Sequence, residues 1–290
     1  MSNIQYDYVI VRKNILAETY GAWLLNDKLN TEIIQTDQIT TLPQDILDKI
    51  KGKKVFIVGG YYSKQLEEIY NNTTQSITVF YNNGDDISYS NKLNHEFYMA
   101  SQSSGFCYFI MKYLDITDSW KVKLADALDE VMCGFPSEES LQIQYGFYSY
   151  YPEAKDNYEK FNSIDDVMLI GIIENGKNKR NDNLMTAKTR VRDSKLLTVL
   201  YEEKEYIIRV AIGDSPIMDS CIALAEASPS GIGLLVRFDL AKTKTLYSIR
   251  KVDLDINKNL NMGNFISTVF KCGGGSYVMA GGSIDGLHFP

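Results

Sequence analysis

Early in the chain, apolar residues come in short β-branched runs, each closed by polar residues or glycine. Tyr8–Val11, Val55–Val58 and Ile77–Phe80 are the clearest. Runs of this length read as short buried strands. Between them the period changes. In "ETYGAWLLNDKL" (18–29), Tyr20, Trp23 and Leu24 fall on one helical face. "PQDILDKI" (43–50) opens with proline and spaces Ile46, Leu47 and Ile50 helically, and "SKQLEEIY" (63–70) does likewise with Leu66, Ile69 and Tyr70. Strand, helix, strand, helix, strand predicts a parallel α/β sheet with right-handed crossovers.

From Gly105 the pattern turns helical, in "GFCYFIMKYL" and then "KVKLADALDEVM". Residues 135–190 are irregular in composition. Within them "ENGKNKRNDN" (174–183) reads as a solvated loop or a helix start, with a phosphate contact as the alternative. A second strand-rich pattern begins near Leu196. Two apolar runs flank a charged "EEKE" turn, "PIMDSCIALAEA" is an amphipathic helix, and "GIGLLVRFDL" and "TLYSIRKV" form a hairpin around "AKTKT". "NMGNFISTVFKCGGG" is a helix stopped by glycines, and "SYVMAGGSI" is a closing strand or loop. The expected organisation is an α/β domain over 1–134, a helical connector over 135–194 and a smaller α/β domain over 195–290.

Composition narrows the classes. The 290 residues suffice for one large or two ordinary domains. A net charge of −7 argues against a broad basic surface for duplex nucleic acid, though not against a local basic groove. Cys107, Cys133, Cys221 and Cys272 are far apart and form no C-x-x-C, which reads as buried thiols in a reducing compartment. The N-terminus lacks the apolar core of a signal peptide, and no stretch approaches the roughly 20 apolar residues of a membrane span. A cytoplasmic protein with no membrane partner is expected. Of the two histidines, His95 in "NKLNHEF" reads as part of a surface loop before a helix, and His288 stands near the last residue. Neither reads as a base or a metal ligand.

Two segments carry candidate chemistry. "TVFYNNGDD" (78–86) ends a strand in Tyr81-Asn82-Asn83, where an α/β protein usually keeps its reactive groups. None of these residues titrates near neutrality or holds a metal strongly. "CGGGSYVMAGGS" (272–283) places Gly273, Gly274 and Gly275 in a row. Such a run costs backbone entropy and suits a close backbone approach, often to an anion held by N–H groups. The alternative is a helix stop followed by a tight turn.

These segments resemble the DHH phosphoesterases, which include nanoRNases, cyclic-dinucleotide phosphodiesterases and RecJ-like exonucleases. The family ends in S-L-R-S, a helix and G-G-G-H-x-x-A-A-G. Here Ser248-Ile249-Arg250 is followed by a helix and then by Gly273-Gly274-Gly275-Ser276-Tyr277-Val278-Met279-Ala280-Gly281. Ser276 takes the place of the family's histidine. "ITVFYNNG" matches I-x-V-x-D-H-H with Tyr81, Asn82 and Asn83 at the motif positions. After the first strand, Lys13 stands for a histidine and Glu18 for an aspartate, followed by the small pair Gly21-Ala22. Gly59 stands where the next strand ends in aspartate, Ser104-Gly105-Phe106 matches the S-G-A helix start, and Asp126 or Asp129 stands for a further aspartate.

The resemblance implies a DHH domain, a helical connector and a DHH-associated domain. It implies a two-manganese centre in active members, which here has lost its donors at Lys13, Gly59, Tyr81, Asn82 and Asn83. Tyr81 is protonated near neutral pH, and the asparagines offer only neutral oxygens. The expectation is a metal-free pseudoenzyme, no cofactor, with a scaffolding or regulatory role. A degenerate superfamily member in the eukaryotic replicative helicase sets the pattern. Phosphate binding through Arg250, Gly273, Gly274, Gly275 and Ser276 is the surviving candidate activity. Its ligand would be a nucleotide or single-stranded oligonucleotide in the cleft between the domains, with Tyr61, Tyr62 and Tyr81 as stacking candidates. The bland alternatives are an Arg250–Asp253 ion pair and an inherited glycine turn. A protein partner or a homo-oligomer is also open. The competing expectation is an active phosphodiesterase on short oligonucleotides or cyclic dinucleotides. It would have a rearranged manganese or magnesium site drawing on Glu18, Asp85, Asp86 and Asp126 or Asp129.

Overall fold

A computed structural model describes residues 5–39, 42–61, 73–81, 95–100, 105–133, 136–155 and 157–289. The chain divides into two compact units, 1–179 and 180–290.

The first unit is built on a five-stranded parallel sheet ordered β2-β1-β3-β4-β5. The strands are β1 (Tyr8–Arg12), β2 (Glu32–Thr36), β3 (Lys54–Tyr61), β4 (Gln75–Tyr81) and β5 (His95–Ala100). The apolar runs of β1 and β3 are buried on both faces. Val9, Val11, Phe56 and Val58 face one core, while Ile10, Val55 and Ile57 face another. That two-sided burial is why these strands read as unbroken runs. The sequence pattern announced only β1, β3 and β4. His95 begins the edge strand β5, opposite Ser76, and so lies in neither a loop nor a helix approach. The helix expected over 63–70 lies outside the described residues.

Helix α1 (Leu16–Leu29) is buried on all sides from Leu16 to Leu25. At Gly21 an added Cβ would lie 2.9 Å from Ile110 Cδ1 and 3.2 Å from Val58 Cγ1, so the glycine lets α1 approach its neighbours closely. The polar atoms of α1 are tied down. Tyr20 donates to the Lys121 carbonyl (2.9 Å), Thr19 to the Lys155 carbonyl (2.6 Å) and Trp23 to Asn162 Oδ1 (2.8 Å). The remaining helices are α2 (Gln44–Ile50), α3 (Phe106–Tyr113), α4 (Ser119–Cys133), α5 (Glu138–Tyr150) and α6 (Asp166–Asp193).

The stretch 174–183 is neither loop nor helix start; it lies in the middle of α6. The missing helical period has a packing cause. An added Cβ at Gly146 would lie 2.0 Å from the Ile172 carbonyl oxygen, and one at Gly176 would lie 1.7 Å from the Gln142 carbonyl oxygen. Helices α5 and α6 therefore meet backbone to backbone, through glycines that a hydrophobic pattern does not count. The exposed part of α6 is mixed, with Val167, Ile170 and Met185 among its lysines, asparagines and acids.

The second unit holds a six-stranded mixed sheet ordered β10-β11-β9-β8-β7-β6. Its strands are β6 (Lys195–Tyr201), β7 (Lys204–Ile212), β8 (Ile232–Asp239), β9 (Lys244–Lys251), β10 (Gly274–Gly275) and β11 (Met279–Asp285). Helix α8 (Met262–Val269) packs Phe265 and Ile266 with Ile208, Val210, Leu234, Val236 and Ile249. Helix α7 (Ile217–Glu226) packs Cys221 and Leu224 with Ala211 and Leu235 on the opposite face.

The α5–α6 contact generates a pair of opposed outcomes. Gly171 is exposed on α6 with nothing within 4 Å of an added Cβ, so Gly171→Ala should stabilise the protein by up to about 1 kcal/mol through helix propensity. Gly176→Ala should destabilise it by roughly 1–3 kcal/mol, because the helices must part. Urea denaturation of both variants checks the sign at each position.

Candidate functional site

Three groups meet at the C-terminal side of the first sheet. Arg12 ends β1, Glu18 sits in the first turn of α1, and Gly59 lies in β3. Glu18 is fully buried. Arg12 Nε lies 3.0 Å from each Glu18 carboxylate oxygen, its Nη2 also contacts Oε1, and its backbone N–H donates to Oε2 at 3.2 Å. A guanidinium is the planar partner that grips both carboxylate oxygens at once. The N-terminal end of α1 adds its own favourable field.

Gly59 completes the arrangement. Its φ of +83° is a left-handed conformation that suits glycine, and the ladder to β4 is irregular there. An added Cβ would lie 2.0 Å from Glu18 Cδ and 2.2 Å from Oε1. The Glu18 carboxylate thus fills the space that a side chain at residue 59 would need.

Lys13 does not bring its charge to this place. It follows β1 in a turn, is exposed, and lies 3.7 Å from Asp37. The cation at Glu18 is Arg12, which sequence reasoning missed. Its signal was weak: a charged residue closing a buried strand, just before the turn.

Asp129 on α4 is buried and points at another helix end. The N–H groups of Cys107 and Tyr108 donate to its two oxygens at 3.1 and 2.8 Å, capping α3. Gly105 makes the room, since an added Cβ would lie 1.9 Å from Asp129 Cγ. Burial pushes the Asp129 carboxyl up to about 7, although both amide bonds oppose the shift. Asp126 is exposed on the same helix. Tyr81 ends β4, paired in register with Tyr61 and Ala100. Asn82, Asn83, Asp85, Asp86, Tyr62 and Ser104 lie outside the described residues. Among the described residues no three His, Cys, Asp or Glu side chains converge as a metal site.

In the second unit the glycines have identifiable packing roles. Gly273 has φ +62°, and an added Cβ would lie 1.9 Å from the Gly281 carbonyl oxygen. One at Gly275 would lie 2.4 Å from the Met279 carbonyl oxygen, and one at Gly263 of α8 would lie 2.5 Å from the Gly275 carbonyl oxygen. Gly274 alone in the run is open, with nothing within 4 Å. Ser276 closes the β10–β11 turn, its N–H donating to the Met279 carbonyl at 2.8 Å.

Arg250 lies on β9 between Gly233 of β8 and Met279 of β11, one strand away from the glycines of β10. Asp253 follows β9 by two residues. It lies 3.4 Å from Lys251, whose buried Nζ also donates to the Asn257 carbonyl (3.1 Å) and sits 3.5 Å from the Tyr277 ring centre. Burial pushes the nearby Cys221 thiol up to about 12, and the charges of Arg250, Arg237 and Arg190 act against that shift. Helix α7 also meets Arg180, paired with Asp219, and Arg190, which donates to Ser220 Oγ at 2.6 Å. Arg237 Nε is buried and has no hydrogen-bond partner among the described residues.

Superposition on solved structures gives the fold: a parallel-sheet unit followed by a mixed-sheet α/β unit, as in two RecJ exonuclease structures. A manganese-bound exonuclease RecJ matches with a TM-score of 0.51 at 9% identity, over 97% of this chain and 86% of that one. RecJ from Thermus thermophilus, in complex with Mn2+, matches at 0.50 and 10% identity, over 97% of this chain and 50% of that longer one. The pGpG-specific phosphodiesterase PggH from Vibrio cholerae aligns at a TM-score of 0.47 and 13% identity, over 96% of this chain and 93% of that one. No protein-family model and no curated protein matches the sequence.

Two outcomes follow from the buried carboxylates. Arg12→Met should destabilise the protein by about 3–5 kcal/mol, because Glu18 would be left buried without its cation. Arg12→Met with Glu18→Leu should recover much of that loss, as read by thermal and urea unfolding. For Asp129 the sign is the reverse of an ordinary salt-bridged carboxylate. Its folded value lies above the unfolded one, so the native state holds the extra proton and stability falls as pH rises from about 4 to about 7. Asp129→Asn should flatten that slope in melting temperatures taken across the window.

Proposed function

We propose that this chain is a DHH phosphoesterase-like protein without hydrolytic activity. It would act through binding, as a scaffold or regulator or by holding a nucleotide or short single strand. The observation that carries the proposal is the Arg12–Glu18 pair over Gly59. By resemblance Glu18 stands for a metal ligand, yet its carboxylate already has a cation from within the protein. A dication brought to the same oxygens would meet the guanidinium at contact distance. The other buried candidate, Asp129, is engaged with the amides of α3. Gly59 supplies no donor atom.

The described donor set therefore does not suit two manganese ions, and no metal-dependent step is derived for this chain. The RecJ structures hold manganese. What supports loss of hydrolysis here is the chemistry of the donors.

A second reading is favoured by Arg237 Nε and its neighbours. Buried N–H groups without an acceptor are costly, and guanidinium groups suit phosphate. Arg250, assisted by Arg237, is the proposed phosphate anchor of the second unit, with the open Gly274 as the backbone contact. Gly273, Gly275 and Ser276 would keep that segment in shape.

Calorimetric titration with Mn2+ should show no binding. Short oligonucleotides, cyclic dinucleotides and pyrophosphate should not be hydrolysed above background. Asn82→His with Asn83→His should not restore activity. Turnover in the unmodified chain that Glu18→Ala abolishes would overturn the proposal. For phosphate binding, the anisotropy of a labelled short single strand should fall as salt rises. Arg250→Ala should weaken binding by about tenfold or more, for a charge-assisted contact of about 1.5–3 kcal/mol. Gly274→Val is the clean backbone probe, since residues 273 and 275 have no room for a side chain.

A further inference from the structure

Among the described residues β6 is an open edge of the second sheet, paired only with β7. Its sequence is Lys195-Leu196-Leu197-Thr198-Val199-Leu200-Tyr201, with no charge between its ends. Edge strands are usually protected by charge, proline or a bulge, because their free N–H and C=O groups template pairing with another strand. Here the protection is missing and apolar groups are displayed. Leu196 is 53% exposed, Leu200 68% and Ile207 of β7 37%.

The direction of the free backbone groups can be derived. The Ile207 N–H donates to Ser230 Oγ, and its carbonyl accepts from Ser228 Oγ, both at 2.8 Å. The Ile207 backbone thus faces away from β6. Its register partner is Thr198, so theirs is a non-hydrogen-bonded pair. The N–H and C=O of Thr198 consequently point to the open edge. By strand alternation so do those of Leu196 and Leu200.

We infer that β6 pairs antiparallel with β6 of a second copy of this chain, about a two-fold axis through Thr198. That register places Thr198 opposite itself and Leu196 opposite Leu200 of the partner. Every outward N–H and C=O of the three residues then finds a mate. The exposed leucines become cross-strand apolar pairs on the face shared with Ile207. A self-complementary patch of this kind is what a closed two-fold dimer requires.

Light scattering after size exclusion at high micromolar concentration should give a dimer. Leu200→Glu should make it a monomer with an unchanged circular-dichroism spectrum. Leu196→Lys combined with Leu200→Glu should restore the dimer, because the introduced charges face each other across the axis. Thr198→Cys should crosslink on oxidation, the Cα atoms being about 5.5 Å apart in a hydrogen-bonded antiparallel pair. A monomeric native chain would overturn the inference. So would a dimer insensitive to Leu200→Glu, or one in which Thr198→Cys fails to crosslink.

Discussion

The guanidinium of Arg12 makes the centre of the first unit tolerable for Glu18. A carboxylate carried out of water costs several kcal/mol unless a partner of fixed geometry meets it. Arg12 supplies that partner from the end of β1, gripping both oxygens. The pair in turn fixes its surroundings. It holds the first turn of α1 against the end of β1, and it needs the space above residue 59 to stay empty. Glycine in a left-handed conformation at that point of β3 meets the need. The strand end, the helix start and the missing side chain are thus one arrangement.

Glycine carries a consistent meaning in both units, as the residue at which another group must come close. Gly59 and Gly105 each make room for a carboxylate, Gly21 for neighbouring side chains, and Gly146 and Gly176 for the backbone of an adjacent helix. Gly273 and Gly275 accept the backbone of β11. The run at 273–275 suggested an anion cradle in the sequence. In the structure its outer members serve packing, and only Gly274 is left for a ligand to approach.

How legible each part was follows from burial. Strands covered on both faces announced themselves as unbroken apolar runs, and the hairpins of the second unit were bounded by charged turns. The edge strand β2 was not visible, because Glu32 and Gln35 interrupt its apolar residues. Helix α6 was hidden by Gly171, Gly176 and a polar stretch at 174–183. At the site, the partners of the aligned residues were not legible in the sequence. Lys13 was assigned the charge that Arg12 carries, and of the alternatives Asp126 and Asp129, the buried Asp129 caps a helix. Ion pairs and caps depend on which side chains meet across strands and helices, and a linear pattern does not encode that.

The fit of Glu18 over Gly59 also bears on history. A side chain at residue 59 could be gained only after the glutamate had moved, and the glutamate is held by Arg12. Freeing Arg12 first would expose the protein to a buried unpaired charge, while adding the side chain first would force two atoms into one place. Each single step leads downhill in stability before any new chemistry could reward it. The arrangement works as a ratchet: with arginine, glutamate and glycine all in place, no one of them changes freely alone.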